Sequence, residues 1–265
     1  MKHAFKKNFG SIIHLEVELT PEEFKVYWQR VYDAAIGKVH IKGFRPGQAP
    51  KELAGQALYP EKIFEQAAND AVRFGLNELV EENEWSVIDK PKVTIEGDGN
   101  NFKYVVDLTV FPEVDLADYK KIAKKSYERF AKDKKEIIVS SEEIEKSLEF
   151  LKKSGADLKN FSDEEKLKSS IKDGLKIEKE ERERDIQRLK VLMEIVKESK
   201  MDIPQVMIDR DKNIAEHLVI YKIAQLEKLE PTPEEVGEKV DNPKLYDYHY
   251  GVIQNQKVFK FLENL

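Results

Sequence analysis

The chain has 265 residues, of which 40% are hydrophobic and 36% are charged. This length can supply one or two ordinary hydrophobic cores, and it favours two modules. The net charge of -6 at pH 7 argues against a protein coated in nucleic acid, so any contact with RNA needs a local basic patch. Cysteine is absent, which excludes disulfides, thiolate zinc sites and thiol nucleophiles.

The sequence predicts neither secretion nor membrane insertion. The first ten residues carry Lys2, Lys6 and Lys7, but the apolar run of a secretory signal does not follow them. Nowhere does the chain contain the roughly 18 consecutive apolar residues that a membrane-spanning helix requires. The expected location is therefore the cytoplasm, with no membrane partner.

The first 112 residues predict a strand, a helix, a loop, a second helix and a hairpin. Apolar and polar side chains alternate over Ile13–Leu19, which indicates a half-buried strand. Thr20–Glu23 forms a capping box with proline at the first helical position. After the loop, helical periodicity returns over Glu61–Glu82, and two alternating segments flank the turn Gly97–Asn100. This order predicts an α+β fold for the module.

After Pro112 the pattern becomes helical. Residues 120–135 predict a polar connector, and Ile137–Val139 is the one short extended candidate. Capping boxes that begin at Ser140, Ser162 and Thr232 mark helix starts, and further helices are predicted over Pro204–Leu229, Thr232–Val240 and Lys244–Glu263. The longest helix, predicted over Asp163–Lys200, has only a narrow apolar stripe. It is either a coiled-coil-like arm or an arm whose concave face offers apolar side chains to another chain.

The loop between the first two predicted helices has a distinctive composition. Residues 36–51 contain three glycines and two prolines, and no acidic residue occurs from Ala34 to Lys51. Phe44 and Arg45 lie within it, between Gly43 and Gly47. Arginine can pair bidentately with carboxylate or phosphate, and an aromatic side chain can fill an apolar pocket of a partner. The alternative is an ordinary loop whose phenylalanine folds back onto its own domain.

The pattern Gly43-Phe44-Arg45-x-Gly47-x-x-Pro50, set between two helices and preceded by a strand, resembles the ribosome-binding signature of the bacterial trigger factor family. The resemblance implies a ribosome-binding α+β domain over residues 1–113, a linker over 114–139 and a helical chaperone domain with long arms over 140–265. The implied ribosome-binding residues are Lys42, Gly43, Phe44, Arg45, Pro46 and Gly47. Pro46 and Gln48 stand where lysine is frequent in the family, so ribosome affinity is expected to be weaker or its salt dependence shallower.

The second module also resembles that family, more loosely. Leu189–Val196, followed by Met201–Pro204 and Val206–Asp209, looks like the helix, bend and helix of the family's carboxy-terminal domain. The family normally carries a β-rich prolyl isomerase domain between its two parts. Nothing between Pro112 and Ser162 could build the apolar, aromatic-lined pocket of that domain. The resemblance therefore implies a short form without isomerase activity.

No other pattern predicts an enzyme, a metal or a cofactor. The histidines have no metal-ligand spacing, and the carboxylates lie in capping boxes or alternate with bases, as on solvated helix faces; the histidines are His3, His14, His40, His217 and His249. The segment Gly97–Gly99 predicts a hairpin turn rather than a phosphate-binding loop. Tyr246, Tyr248 and Tyr250 form either a stacking platform or, as the shared helical face of two of them favours, packing contacts.

The resemblance thus implies an ATP-independent holding chaperone. It would dock beside the ribosomal exit tunnel, contact ribosomal protein and rRNA, and cradle nascent or unfolded polypeptides in its helical module. Homodimers are among the states that the family allows, and the sequence assigns no client-binding residues. Three alternatives stay open: an extracytoplasmic holdase of similar architecture, a helical scaffold or oligomerisation module, and a prolyl isomerase.

Overall fold

The computed structural model describes residues 1–45, 47–98, 101–133, 136–154, 164–237 and 242–265. The chain forms two compact units. The first unit, called here the amino-terminal unit, comprises Met1–Glu113 and Met201–Lys212; the second, called the helical unit, comprises Val114–Lys200 and Asn213–Leu265. From the sequence we expected Met201–Lys212 to belong to the helical module. The residue contacts of this segment instead place it in the amino-terminal unit.

The elements follow the predicted order with several additions. Up to residue 115 they are β1 (Lys2–Asn8), β2 (Ile12–Leu19), α1 (Pro21–Ile36), α2 (Lys51–Gln56), α3 (Pro60–Glu82), β3 (Lys92–Asp98), β4 (Asn101–Thr109) and β5 (Val114–Asp115). The rest are α4 (Tyr119–Lys132), α5 (Ser141–Lys153), α6 (Glu164–Glu198), β6 (Lys200–Met201), α7 (Gln205–Arg210), α8 (Ile214–Glu227), α9 (Pro233–Val236) and α10 (Pro243–Glu263). The α+β class predicted for the amino-terminal module is confirmed.

An antiparallel sheet with the strand order β1-β2-β4-β3 supports the amino-terminal unit. In its centre Leu15 of β2 lies opposite Val106 of β4, and Val17 lies opposite Tyr104. All four side chains are fully buried, together with the apolar faces of α1 and α3. Each fully buried aliphatic side chain of this kind contributes about 1.5–3 kcal/mol. The alternation predicted from the sequence therefore marks the core-facing positions of both central strands.

The outer strand β1 was not predicted. All seven of its residues are exposed, so it shows no alternation between buried apolar and exposed polar side chains. It pairs with β2 through the backbone, from Lys2 opposite Glu18 to Asn8 opposite Ile12. Backbone pairing of this kind leaves no periodic signal in side-chain chemistry, and therefore pattern reasoning could not detect it.

The turn between β1 and β2 is held by a residue from far along the chain. The Asp202 carboxylate accepts hydrogen bonds from the backbone amides of Gly10 at 2.8 Å and Ser11 at 2.7 Å. The Ser11 hydroxyl donates to the Asp202 carbonyl at 2.6 Å. Gly10 and Ser11 have φ values of 81° and 49°, and such turns form concave anion sites from successive amides. We call this contact the Asp202 clamp.

Helix starts agree with the predicted capping boxes wherever the structure describes them. Thr20 accepts from the Glu23 amide at 3.3 Å, and the Glu23 carboxylate accepts from the Thr20 amide at 2.9 Å. The boxes at Ser140 and Thr232 are also complete. The predicted box at Ser162 lies outside the described residues.

The expected linker over residues 114–139 contains a packed helix. Helix α4 buries Ala123 and Ser126 and packs against α6. The Ser126 hydroxyl and the Arg129 guanidinium both donate to Glu194, at 2.5 and 2.6 Å, and they hold the pKa of that carboxyl below its ordinary value. Helix α4 contacts α6 through small and charged side chains. Its sequence therefore predicted a polar connector.

Three other expectations for the second module differ from the structure. Ile137–Val139 forms no strand, and β5 and β6 make a small two-stranded sheet, so the module is not entirely helical. The helix predicted over Pro204–Leu229 is divided into α7 and α8.

Among the described residues, no helix combines the length and apolar character needed to cross a membrane.

The long helix α6 organises the helical unit. Its amino-terminal half packs against α5, where the Lys179 ammonium pairs with Glu143 at 2.7 Å and lowers the pKa of Glu143 to about 2. Its carboxy-terminal half buries one face, which carries Val191, Leu192 and Ile195, and α6 packs against α4 and α8. The helix is therefore an arm at one end and a core element at the other.

Candidate functional site

The loop over residues 37–50, called here the signature loop, is fixed at both ends to α1. At its start, the amides of Lys38 and Val39 donate to the Ala35 carbonyl at 3.0 and 2.9 Å. At its end, Gly55 of α2 lies so close to Tyr32 that a Cβ atom there would be 2.5 Å from the tyrosine hydroxyl. The absence of a side chain at Gly55 therefore allows α2 to pack on α1.

Two successive turns shape the tip of the signature loop. In residues 41–44 and again in 45–48, the amide of the last residue donates to the carbonyl of the first, at 3.1 and 2.9 Å. The third residues of these turns are Gly43 and Gly47, with φ values of 94° and 77°. A positive φ at this position is typical of a type II turn and favours glycine. Phe44–Arg45 lies at the junction of the two turns.

The side chains at this junction point away from the interior. Phe44 is 41% exposed and is not part of the hydrophobic core. Arg45 is exposed and forms no ion pair with any described residue. Lys42, Gly43 and Gly47 are exposed as well, and Pro46 lies outside the described residues. The loop does not fold its phenylalanine back into the domain.

The signature loop and its base carry an unneutralised positive charge. Within the described part of the chain, none of its cations is paired with a carboxylate; these exposed cations are Lys38, Lys42, Arg45 and Lys51. The nearby Asp33 accepts instead from Gln29 of the same helix, at 3.1 Å. An arginine fork beside an exposed aromatic ring can engage a carboxylate or a phosphate and insert the ring into an apolar recess.

A second exposed surface lies on α6 of the helical unit. Ile186, Leu189 and Met193 follow one another at helical spacing on the face opposite the buried one, and Leu189 and Met193 are 55% and 61% exposed. We call these three residues the α6 stripe. The sequence could not separate the stripe from the packed residues, because Val191 and Leu192 are equally apolar. Exposed apolar side chains that follow one another on one helix face form a candidate interaction surface.

The three tyrosines of α10 differ in their exposure. Tyr248 is exposed, whereas Tyr246 and Tyr250 are half-buried, so the three rings do not present one stacking surface. Across the described residues, no cluster of three or more histidine, aspartate or glutamate side chains could hold a metal ion.

Sequence reasoning missed two residues that the structure places prominently. Asp202 forms its clamp with the β1–β2 turn, and Tyr59 lies exposed between α2 and α3. Neither belongs to a local pattern that indicates its role. Both depend on which segments meet in the folded unit.

Comparison with known proteins gives concordant matches to one family. The profile described as bacterial trigger factor protein (TF) matches residues 1–151. The trigger factor of Acetivibrio thermocellus is 28% identical over 170 residues, which cover 63% of this chain and 38% of that protein. The trigger factor of Clostridium botulinum is 30% identical over 178 residues, which cover 66% of this chain and 38% of that protein. The chain thus aligns with less than half the length of these curated relatives.

A solved structure shares the fold. It comes from work on promiscuous substrate recognition in folding and assembly activities of the trigger factor chaperone, and the likeness covers 98% of this chain and 99% of that one. The TM-score is 0.56 and the sequence identity is 15%, so the likeness concerns the fold alone. The profile match spans more than half of the sequence and includes the signature loop. The chain belongs to the bacterial trigger factor family.

Proposed function

We propose that this chain is an ATP-independent chaperone that docks on the ribosome through the signature loop and holds unfolded polypeptide on its helical unit. The observation that carries the proposal is the Phe44–Arg45 junction, which two glycine turns hold in solvent with no ionic partner among the described residues. Family membership supports this function for a loop of this composition. The contact would combine insertion of the ring with pairing of Arg45 to a carboxylate or phosphate near the exit tunnel.

We also propose that this short form lacks isomerase activity. From Val114 onwards, the described residues form helices and the small sheet of β5 and β6. A β-rich domain with an aromatic-lined pocket has no counterpart among them. The activity proposed here is therefore binding and release, which requires weak contacts at many positions so that clients exchange quickly.

Cosedimentation with purified ribosomes tests the docking proposal. The wild-type chain is expected to pellet with large ribosomal subunits at about 50 mM salt and to be largely released at about 200 mM, because several exposed cations mediate the contact. Isolated small subunits are the control and should not carry it into the pellet. Failure to pellet with large subunits at low salt would contradict the proposed function.

The α6 stripe is the surface that we propose for unfolded clients. Its side chains are apolar, aligned on one helix face and open to solvent, and they adjoin charged residues that keep the surface hydrated. A client segment with a few apolar side chains could cover them without a fixed sequence, as a holding chaperone requires.

Replacing Leu189 and Met193 together with glutamine should weaken suppression of aggregation. Glutamine preserves helix propensity, but it removes the apolar area that a client would cover, worth about 1.5–3 kcal/mol for each side chain if fully buried. The concentration that halves the aggregation of a denatured test protein should rise about tenfold or more. The matched control is Val26→Gln, an exposed apolar residue of α1, which should leave that concentration unchanged. Equal suppression by the double variant and wild type would exclude the stripe.

A further inference from the structure

A groove of about 730 Å³ lies beside the signature loop in the amino-terminal unit. It runs between the last turns of α1 and the first half of α3, and Val31, Ala35 and Ile63 contribute to its apolar floor. The sequence did not predict it, because its walls come from two helices and the short segment between α2 and α3.

Basic residues dominate the charged part of this groove. Its charged lining consists of three cations and one carboxylate, and these residues are Arg30, Lys38, Lys62 and Asp70. Asp70 already accepts from the Arg73 guanidinium at 3.1 Å, which offsets its charge. Lys38 and Lys62 form no ion pair within the described residues. The groove therefore presents a positive rim over an apolar floor.

An exposed aromatic ring lies at the mouth of the groove. Tyr59 is 69% exposed, and the Lys62 ammonium lies 5.1 Å from the centre of its ring. The Tyr59 carbonyl accepts from the amides of Lys62 and Ile63, at 3.0 and 3.2 Å, so the first turn of α3 fixes the backbone that carries the ring. Aromatic rings beside a cationic groove are the combination that binds single-stranded nucleic acid, because every base can stack and every phosphate can pair.

We propose that this groove binds a single-stranded segment of RNA, with a base stacked on Tyr59 and phosphates paired with Lys62 and Lys38. The inference rests on the proposed function, since it extends ribosome docking from the signature loop to a second contact on rRNA. An acidic chain gains from such local charge, because phosphate binding releases counterions at the patch itself. The Arg30 guanidinium lies over the Tyr27 and Phe74 rings, so Lys38 and Lys62 are the cations that the groove offers to a ligand. An apolar polypeptide would gain nothing from the charge of these two lysines, and charge complementarity therefore favours RNA.

Fluorescence anisotropy with a labelled single-stranded RNA of about ten nucleotides tests the groove in the full chain. Tyr59→Ala should weaken binding about 5- to 150-fold, because loss of one stacked base costs about 1–3 kcal/mol. Tyr59→Phe keeps the ring and should bind like wild type. Lys62→Gln should reduce the slope of log affinity against log salt by about 0.7. The matched control is Tyr248→Ala, which removes a ring that is 66% exposed in the helical unit and should change nothing.

The outcomes separate this inference from the docking proposal. Phe44→Ala should retain affinity for the RNA while sedimentation with ribosomes falls. If wild type sediments with ribosomes but does not bind the RNA, or if Tyr59→Ala binds it as well as wild type, the groove inference is wrong and docking stands. If Tyr59→Ala loses an unfolded polypeptide rather than RNA, the groove takes a different occupant and the inference is again wrong.

Discussion

Replacing Phe44 and Arg45 together by alanine should abolish sedimentation of the chain with ribosomes and leave its thermal unfolding unchanged. Both side chains are exposed, and in the part of the chain that the structure describes neither contributes to the core or to an ion pair. The turns that present them depend on Gly43 and Gly47 and on backbone hydrogen bonds, which alanine preserves. Aromatic and arginine residues at the centre of an interface typically cost 2 kcal/mol or more each when truncated, so affinity should fall at least about 30-fold.

The control for this experiment is a second exposed pair in the same unit. Phe9 and Lys6 are exposed near the β1–β2 turn, and replacing both by alanine also removes one phenyl ring and one positive charge, at a different position. This variant should sediment with ribosomes like wild type. If the Phe44 and Arg45 variant also sediments normally, the assigned docking site is wrong.

Replacing Asp202 by alanine should destabilise the amino-terminal unit by about 2–4 kcal/mol. The substitution removes the acceptor of two part-buried amides, those of Gly10 and Ser11, and an unsatisfied buried donor costs about 1–3 kcal/mol. Both tryptophans of the chain, Trp28 and Trp85, lie in this unit, so tryptophan fluorescence during urea unfolding reports on it selectively.

Two companion variants make the measurement specific. Asp209→Ala changes a carboxylate of the same chain segment that accepts from the exposed Gln205 side chain, at 2.8 Å, and its effect should stay below about 0.5 kcal/mol. Asp202→Asn keeps one acceptor oxygen and should give an intermediate loss. An unfolding midpoint of Asp202→Ala equal to that of wild type would show that the clamp contributes nothing.

Local patterns predicted those parts of the fold that local chemistry determines. Alternation located β2 and β4 because their buried faces require apolar residues at every second position. Capping boxes located α1, α5 and α9 because their side chains bond to amides three residues away. The same logic could not find α4, because its buried residues Ala123 and Ser126 are small and its partner Glu194 is charged. It could not find the Asp202 clamp either, which joins positions about 190 residues apart.

The candidate site shows the same division. Glycine spacing and the absence of acids located the signature loop and its charge, since these are properties of consecutive residues. The exposure of Phe44 could not be predicted, because an irregular loop has no period that distinguishes inward from outward positions. The RNA-binding role proposed for Tyr59 and Lys62 depends on the groove that forms where α1 packs against α3, and no local sequence pattern encodes that packing.

The open edge of the sheet has a consequence for a protein that is proposed to spend its time among unfolded chains. An edge strand has unpaired backbone N–H and C=O groups, with which a segment of another chain can form hydrogen bonds. Such pairing can start cross-β aggregation. Lys6 and Lys7 are consecutive and therefore lie on opposite faces of β1. A strand that paired with β1 would have its side chains next to an ammonium group on each face. Charged side chains on an edge strand are a known means of opposing such addition, so the lysines of β1 would disfavour co-aggregation of the proposed chaperone with its clients at this edge.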